Sequence, residues 1–108
     1  MSWEKKLKIF DEIVQLSTNS ERKGKKKIYT SANGYMYAIL NAAGEIGFQI
    51  SKEDQKAFDA EFDTAPLLSY GAVMKDYVKI PERLFTEKTM LANWLDKAHN
   101  YVMTLKPK

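Results

Sequence analysis

The chain has 108 residues, too few for a second domain of ordinary size and enough to bury roughly two-thirds of its unfolded surface in one core. A hydrophobic share of 44% and a charged share of 29% exclude a disordered or a membrane-embedded composition. Without cysteine there are no disulfides and no thiolate-bound metals, and a net charge of +3, from 17 basic against 14 acidic residues, selects no partner class by itself.

The first expected element is a helix over Trp3–Leu16. Trp3, Leu7, Phe10 and Val14 recur at helical spacing with Ile13 beside them, Ser2 is placed to cap the start, and Glu4 suits the positive end of the helix dipole. These first residues are amphipathic from the outset and hold no apolar leader segment. No apolar run approaches the ~20 residues that span a bilayer, so the expectation is a cytoplasmic protein with no membrane partner. Ser17-Thr18-Asn19-Ser20 reads as loop. A basic run follows: Arg22, Lys23, Lys25, Lys26 and Lys27, broken by Gly24.

Three strands come next. Residues 27–30 form a short strand at an edge, and Asn33-Gly34 is a strong hairpin signal because both residues tolerate positive φ. Tyr35–Leu40 is apolar on both faces, which points to a central strand. Asn41-Ala42-Ala43-Gly44 makes a turn, after which Ile46, Phe48 and Ile50 alternate with Glu45, Gly47 and Gln49, one face inward and one wet. Ser51 is the expected N-cap of a second helix, with Asp54 as its capping-box acid. That helix should bury Ala57, Phe58 and Phe62 and end at Asp63-Thr64-Ala65-Pro66.

A fourth strand is expected over residues 67–70, a turn at Gly71-Ala72, and a fifth strand over 74–80. Val78 and Ile80 should face inward, with Lys75, Tyr77 and Lys79 outward. Pro81 stops the ladder because it lacks an N–H. The last helix, over 87–105 and about 28 Å long at ~1.5 Å per residue, carries Met90, Leu91, Trp94, Leu95, Ala98, Tyr101, Val102 and Leu105 in one stripe. Thr86 is its expected cap, and Trp94 reads as a packing anchor. The element order α-β-β-β-α-β-β-α implies an α+β fold: a two-layer sandwich with a mainly antiparallel five-stranded sheet.

Chemistry is sparse. His99 is the one histidine and lies beside the apolar stripe of the last helix, without the nucleophile and orienting group a catalytic base needs. Asp59-Ala60-Glu61-Phe62-Asp63 imitates the start of a calcium loop, but Thr64 stands where that loop needs Gly and Tyr70 where it needs the bidentate Glu. The glycines (Gly24, Gly34, Gly44, Gly47, Gly71) build no nucleotide fingerprint; Gly47 suits a bulge or close packing of a helix on the sheet. No catalytic residue, cofactor or metal is expected.

Two features remain. The run Arg22, Lys23, Lys25, Lys26, Lys27 could make this a weak, sequence-nonspecific nucleic-acid-binding protein through phosphate contacts, or could be a solvated loop that guards an edge strand against aggregation; the second reading is preferred. Tyr29, Tyr35 and Tyr37 could stack bases, but core or interface packing is the commoner use. Tyr35, Tyr37 and Tyr77 are the candidate interface residues. A homodimer is expected, because one sheet face would be left partly uncovered.

Several segments together carry a family likeness: Lys26-Lys27-Ile28-Tyr29 before the turn, Gly34-Tyr35-Met36-Tyr37-Ala38-Ile39, Gly47-Phe48-Gln49-Ile50, Met74-Lys75-Asp76-Tyr77-Val78-Lys79-Ile80-Pro81, and Ala98-His99-Asn100-Tyr101-Val102 with Leu105-Lys106-Pro107-Lys108. In this order they resemble the N-terminal domain of the TfoX family of bacterial competence regulators, over nearly the whole chain. Ile28-Tyr29-Thr30 stands where family members often carry Met-Phe-Gly. Full-length members have a further C-terminal domain, which the resemblance does not cover. The resemblance implies a two-layer fold similar to secretion chaperones and a non-enzymatic regulatory or protein-interaction module, with the transcription machinery as a candidate partner.

Overall fold

The computed structural model describes residues 2–25, 27–64, 66–69 and 72–108. Lys26, Ala65, Tyr70 and Gly71, with the expectations placed on them, lie outside the described residues. Among the described residues the chain is α+β: three α-helices, α1 (Trp3–Leu16), α2 (Lys52–Phe62) and α3 (Lys88–Met103), and an antiparallel sheet. The strands are β1 (Ile28–Ala32), β2 (Tyr35–Leu40), β3 (Ile46–Gln49), β4 (Pro66–Ser69) and β5 (Ala72–Lys79), in the spatial order β1-β2-β3-β5-β4. A 3-10 turn, Glu82–Leu84, leads into α3. Among the described residues no helix is long and apolar enough to cross a membrane.

Two helix starts follow their capping signals. Ser2 Oγ accepts from Lys5 N and Ser51 Oγ from Asp54 N, so each serine satisfies an amide that the first turn leaves free. The third does not: α3 starts at Lys88 with Glu87 as N-cap and no side-chain cap, one residue past the expected Thr86. Its C-terminus is capped from far away in sequence. Asn33 Nδ2 donates to the carbonyls of Val102 and Leu105, both at 2.9 Å, and Lys108 N donates back to Asn33 O. Asn33 and Gly34 have φ of 57° and 86°, so the Asn-Gly turn that closes the β1–β2 hairpin also holds the end of α3.

One face of the sheet and the inner faces of the helices share a single core. Ile28, Ala38, Leu40, Ile46, Phe48, Val78 and Ile80 meet Phe10, Ile13, Phe58, Leu91, Leu95, Ala98 and Val102. Ala57, expected in this core, is exposed; α2 buries only Phe58 fully. The β1–β2 register slips between Thr30 and Ser31, pairing Thr30 with Ala38 and Ser31 with Met36, so Tyr37 is an extra residue in β2 and turns to the helix side.

The other face does not stay open. Pro66 pairs with Val78 and Leu68 with Val73, so residues 74–77 of β5 bulge against the single residue Leu67. Asp76 takes the left-handed φ of 71° inside this bulge. Leu67 is fully buried, and a Cβ at Gly47 would stand 2.3 Å from its Cδ2. Gly47 is thus needed for a leucine from β4 rather than for a helix. Ile39 on the same face is 2% exposed. The uncovered apolar face that motivated a homodimer is therefore filled, in part, by the protomer's own chain.

Thr30 is fully buried, and its hydroxyl finds no hydrogen-bond partner among the described residues. An unpaired buried hydroxyl costs stability, whereas a methyl of the same shape does not. Thr30→Val is therefore expected to stabilise the fold by about 1 kcal/mol, raising Tm by roughly 4–8 °C. A lower Tm would show that the hydroxyl has a partner.

Candidate functional site

The basic run is built into the fold. Lys23 forms an isolated antiparallel bridge with Tyr29: Lys23 N donates to Tyr29 O at 2.7 Å and Tyr29 N to Lys23 O at 3.1 Å. Arg22 is spent on Asp11, Nε to Oδ1 at 3.0 Å and Nη2 to Oδ2 at 3.3 Å, and Lys23 Nζ donates to Ser31 Oγ. Lys23 therefore lies along the outer edge of β1, which fits the edge-guarding reading. Lys25 and Lys27 are exposed cations, and Lys26 lies outside the described residues. A phosphate-contact surface keeps these lysines but loses Arg22 as a free donor.

The tyrosines are committed inside the protomer. Tyr37 is 1% exposed, donates to Ser20 Oγ at 2.8 Å and stacks edge-on against His99 at 5.5 Å. It is a core residue, which corrects its placement at an interface. Tyr35 is half-buried; its hydroxyl donates to Lys106 O at 2.7 Å, and Lys108 Nζ lies 4.6 Å from its ring centroid. Tyr77 is half-buried and donates to Met36 O. Each of the three hydroxyls already donates a hydrogen bond within the chain.

Burial, reinforced by the Asp76 charge, pushes the Tyr77 phenol up to about 12 from 10.0. Because the folded value is raised, the protonated phenol supports the fold fully below pH ~10, and this support is lost as pH climbs from there through about 12. Tyr77→Phe cannot ionise, so its stability should fall less between pH 8 and 11 than that of the parent, by on the order of 1 kcal/mol. Parallel Tm–pH curves would place the phenol in solvent.

A cleft of ≈ 400 Å³ opens where the α1 start, the β2–β3 turn, the α2 end and the β5 end converge. Lys6 comes from α1, Gly44 and Glu45 from the turn, Asp63 and Thr64 from the end of α2, Lys79 from β5, and Pro81, Glu82 and Arg83 from the segment after it. Ile80 and Phe85, both nearly fully buried, form the floor. Four of the cleft's charges are paired. Lys79 Nζ lies 2.6 Å from Glu45 Oε2, and Lys6 Nζ lies 2.9 Å from Glu82 Oε1. Asn41 completes the first pair: its Nδ2 donates to Glu45 Oε1 at 3.0 Å and its Oδ1 accepts from Glu45 N at 2.8 Å. Trp3 Nε1 in turn donates to Asn41 O, tying α1 to this turn.

These contacts fix the protonation states. The hydrogen bond from Lys79, then that from Asn41, holds the Glu45 carboxyl below the usual carboxylate range, with Lys6 adding attraction. The hydrogen bond from Lys6 does the same for Glu82, and Lys79 contributes charge there. Two lysines and two glutamates thus alternate, each acid feeling both cations. A proton donor or acceptor working near neutral pH needs its pKa brought toward 7; here both acids move the other way. The arrangement suits holding a charged ligand more than moving a proton.

Arg83 and Asp63 differ from the paired charges. Arg83 Nη2 donates to Phe62 O from an exposed side chain. Asp63, the next residue after Phe62, is exposed at a left-handed φ of 49°. Both line the cleft, and among the described residues neither makes an ion pair within 4.0 Å.

No family model, curated protein or solved structure matches the chain.

The site must therefore be read from its own geometry. Among the described residues no group of three or more His, Asp or Glu could hold a metal ion. The cleft's residues come from positions 6 to 85, and each of its ion pairs joins residues far apart in sequence. One signal was available: Lys79-Ile80-Pro81-Glu82-Arg83 sets alternating charges around a proline that ends a strand.

Proposed function

We propose that this chain is a non-enzymatic protein-interaction module that receives its partner at the cleft. The observation that carries the reading is the locking of Glu45 and Glu82 by Lys79 and Lys6, which gives a preformed charged surface whose carboxylates stay ionised. The resemblance to the N-terminal domain of TfoX-type competence regulators supports a regulatory role, with a component of the transcription machinery as a candidate partner. The two-layer arrangement similar to secretion chaperones, with helices on one side of a five-stranded sheet, belongs to the same proposal.

Photo-crosslinking tests the reading. A photoreactive side chain at Glu61, exposed near the cleft, should capture a defined protein that the same group at Lys52, the other end of α2, does not. The captured protein, once purified, should bind the parent chain and lose binding on Arg83→Glu. A multiple-turnover reaction that disappears on Glu45→Gln would overturn it.

A further inference from the structure

We infer that the cleft receives a polypeptide segment with an acidic and a basic side chain side by side, the acid on Arg83 and the base on Asp63. The inference rests on the reading of the chain as an interaction module and adds the chemistry of its partner. Three cleft residues are cationic (Lys6, Lys79, Arg83) and three anionic (Glu45, Glu82, Asp63), so the site has no net charge to attract a polyanion or a polycation. Four of the six are satisfied within the protein. The remaining two are the rim pair. Arg83 is anchored by one donor to Phe62 O, which holds the rest of its planar fork in place for a carboxylate. Asp63 is fixed by its backbone, with its amide donating to Asp59 O at 2.8 Å at the end of α2.

An occupant with one charge only would satisfy one rim group and bring the other against a like or unpaired charge, which interfaces penalise. An occupant carrying both completes the alternation that the paired charges begin. The volume lies within the range of ligand clefts that accept a few side chains.

The test is an NMR titration of the labelled full chain with three end-blocked pentapeptides in one Gly/Ser background, carrying Asp and Lys adjacent, Asp alone, or Lys alone. Amides around Asp63 and Arg83 should shift, with the Asp–Lys peptide binding about tenfold tighter than either singly charged one. Arg83→Gln should erase the difference between the Asp–Lys and Lys-only peptides, and Asp63→Asn that between the Asp–Lys and Asp-only peptides. Both side chains are exposed, and unchanged melting curves confirm that the variants fold.

Equal binding of all three peptides, absence of shifts at millimolar peptide, or shifts confined to other surfaces would overturn the inference. So would displacement of the peptide by free aspartate or by a single-stranded oligonucleotide. The two readings fail separately. A crosslinked partner that binds while the Asp–Lys peptide does not sinks the dipole rule and keeps the module; turnover dependent on Glu45 sinks the module and leaves the peptide contact standing.

Discussion

Phe58→Ala is expected to destabilise the protein by about 3–5 kcal/mol, a third or more of the stability typical of a domain this size. α2 is otherwise a mostly exposed helix: Lys52, Glu53, Lys56, Ala57, Asp59, Ala60 and Glu61 all face solvent. Phe58 is fully buried, its ring tilted on Phe62 at 4.7 Å and edge-on to Trp94 at 5.0 Å. Truncation leaves a cavity between α2, α3 and the sheet that the remaining side chains of α2 cannot fill. Urea unfolding should show the lower midpoint, and amide exchange should be accelerated first in α2. Phe58→Leu should cost less than about 1.5–2 kcal/mol if the helix can settle onto the smaller side chain. Because α2 delivers Asp63 and Thr64 to the cleft, Phe58→Ala should also weaken any ligand held there without touching the rim. Retention of full stability would mean that α2 is held mainly by its caps.

The second large effect is expected on the opposite face of the sheet. Gly47→Ala places a methyl into Leu67, 2.3 Å from Cδ2 and 3.2 Å from Cγ, in a site where Leu67 is already fully enclosed. Overpacking of this kind costs about 1–3 kcal/mol. Leu67→Ala alone should cost about 2–5 kcal/mol through the cavity it leaves. The two changes share that space, so the double variant should be more stable than the sum of the single losses predicts, by about 0.5–3 kcal/mol. Chemical denaturation of the four proteins measures the difference. Strict additivity would show that β4 shifts as a body when either residue changes.

These two positions show what the sequence could and could not convey. α1 over Trp3–Leu16 and β2 over Tyr35–Leu40 were legible to the residue, because a local cap and a two-residue turn mark their ends. The alternation of Ile46, Phe48 and Ile50 likewise declared the core face of β3, but the face expected to be wet is covered: Gly47 is buried against Leu67, and Glu45 and Gln49 are half-buried. The bulge in β5 was not legible, since it is imposed by Leu67 seeking cover over Gly47 across three strands. α2 illustrates the opposite error: Ala57, Phe58 and Phe62 suggested a broad buried face, yet Ala57 is exposed, Phe62 is half-buried and only Phe58 is fully enclosed. The composition of the basic run points to a loop guarding an edge strand, but not to the partners that place Arg22 and Lys23, Asp11 on α1 and the free edge of β1. Ion pairs joining residues such as Lys6 and Glu82 have no local signature, so the charges around Pro81 were the one hint of the cleft.

The Asn33 clasp has a consequence for how the protein comes into being. The bonds that bring α3 onto the rest of the fold join residues 69 to 78 positions apart: Asn33 to Val102, Tyr35 to Lys106, Glu12 to Lys88, Thr18 to Asp96. The meander of β1, β2 and β3 is complete once Gln49 has left the ribosome, but 54 further residues separate it from Met103. At typical synthesis rates that interval is roughly 3–11 s, during which Ile28, Leu40, Ile46 and Phe48 have no helix α3 to lie beneath. The nascent chain must wait with its apolar sheet surface uncovered, so variants that weaken the clasp should lose yield in the cell before they lose much stability in the test tube.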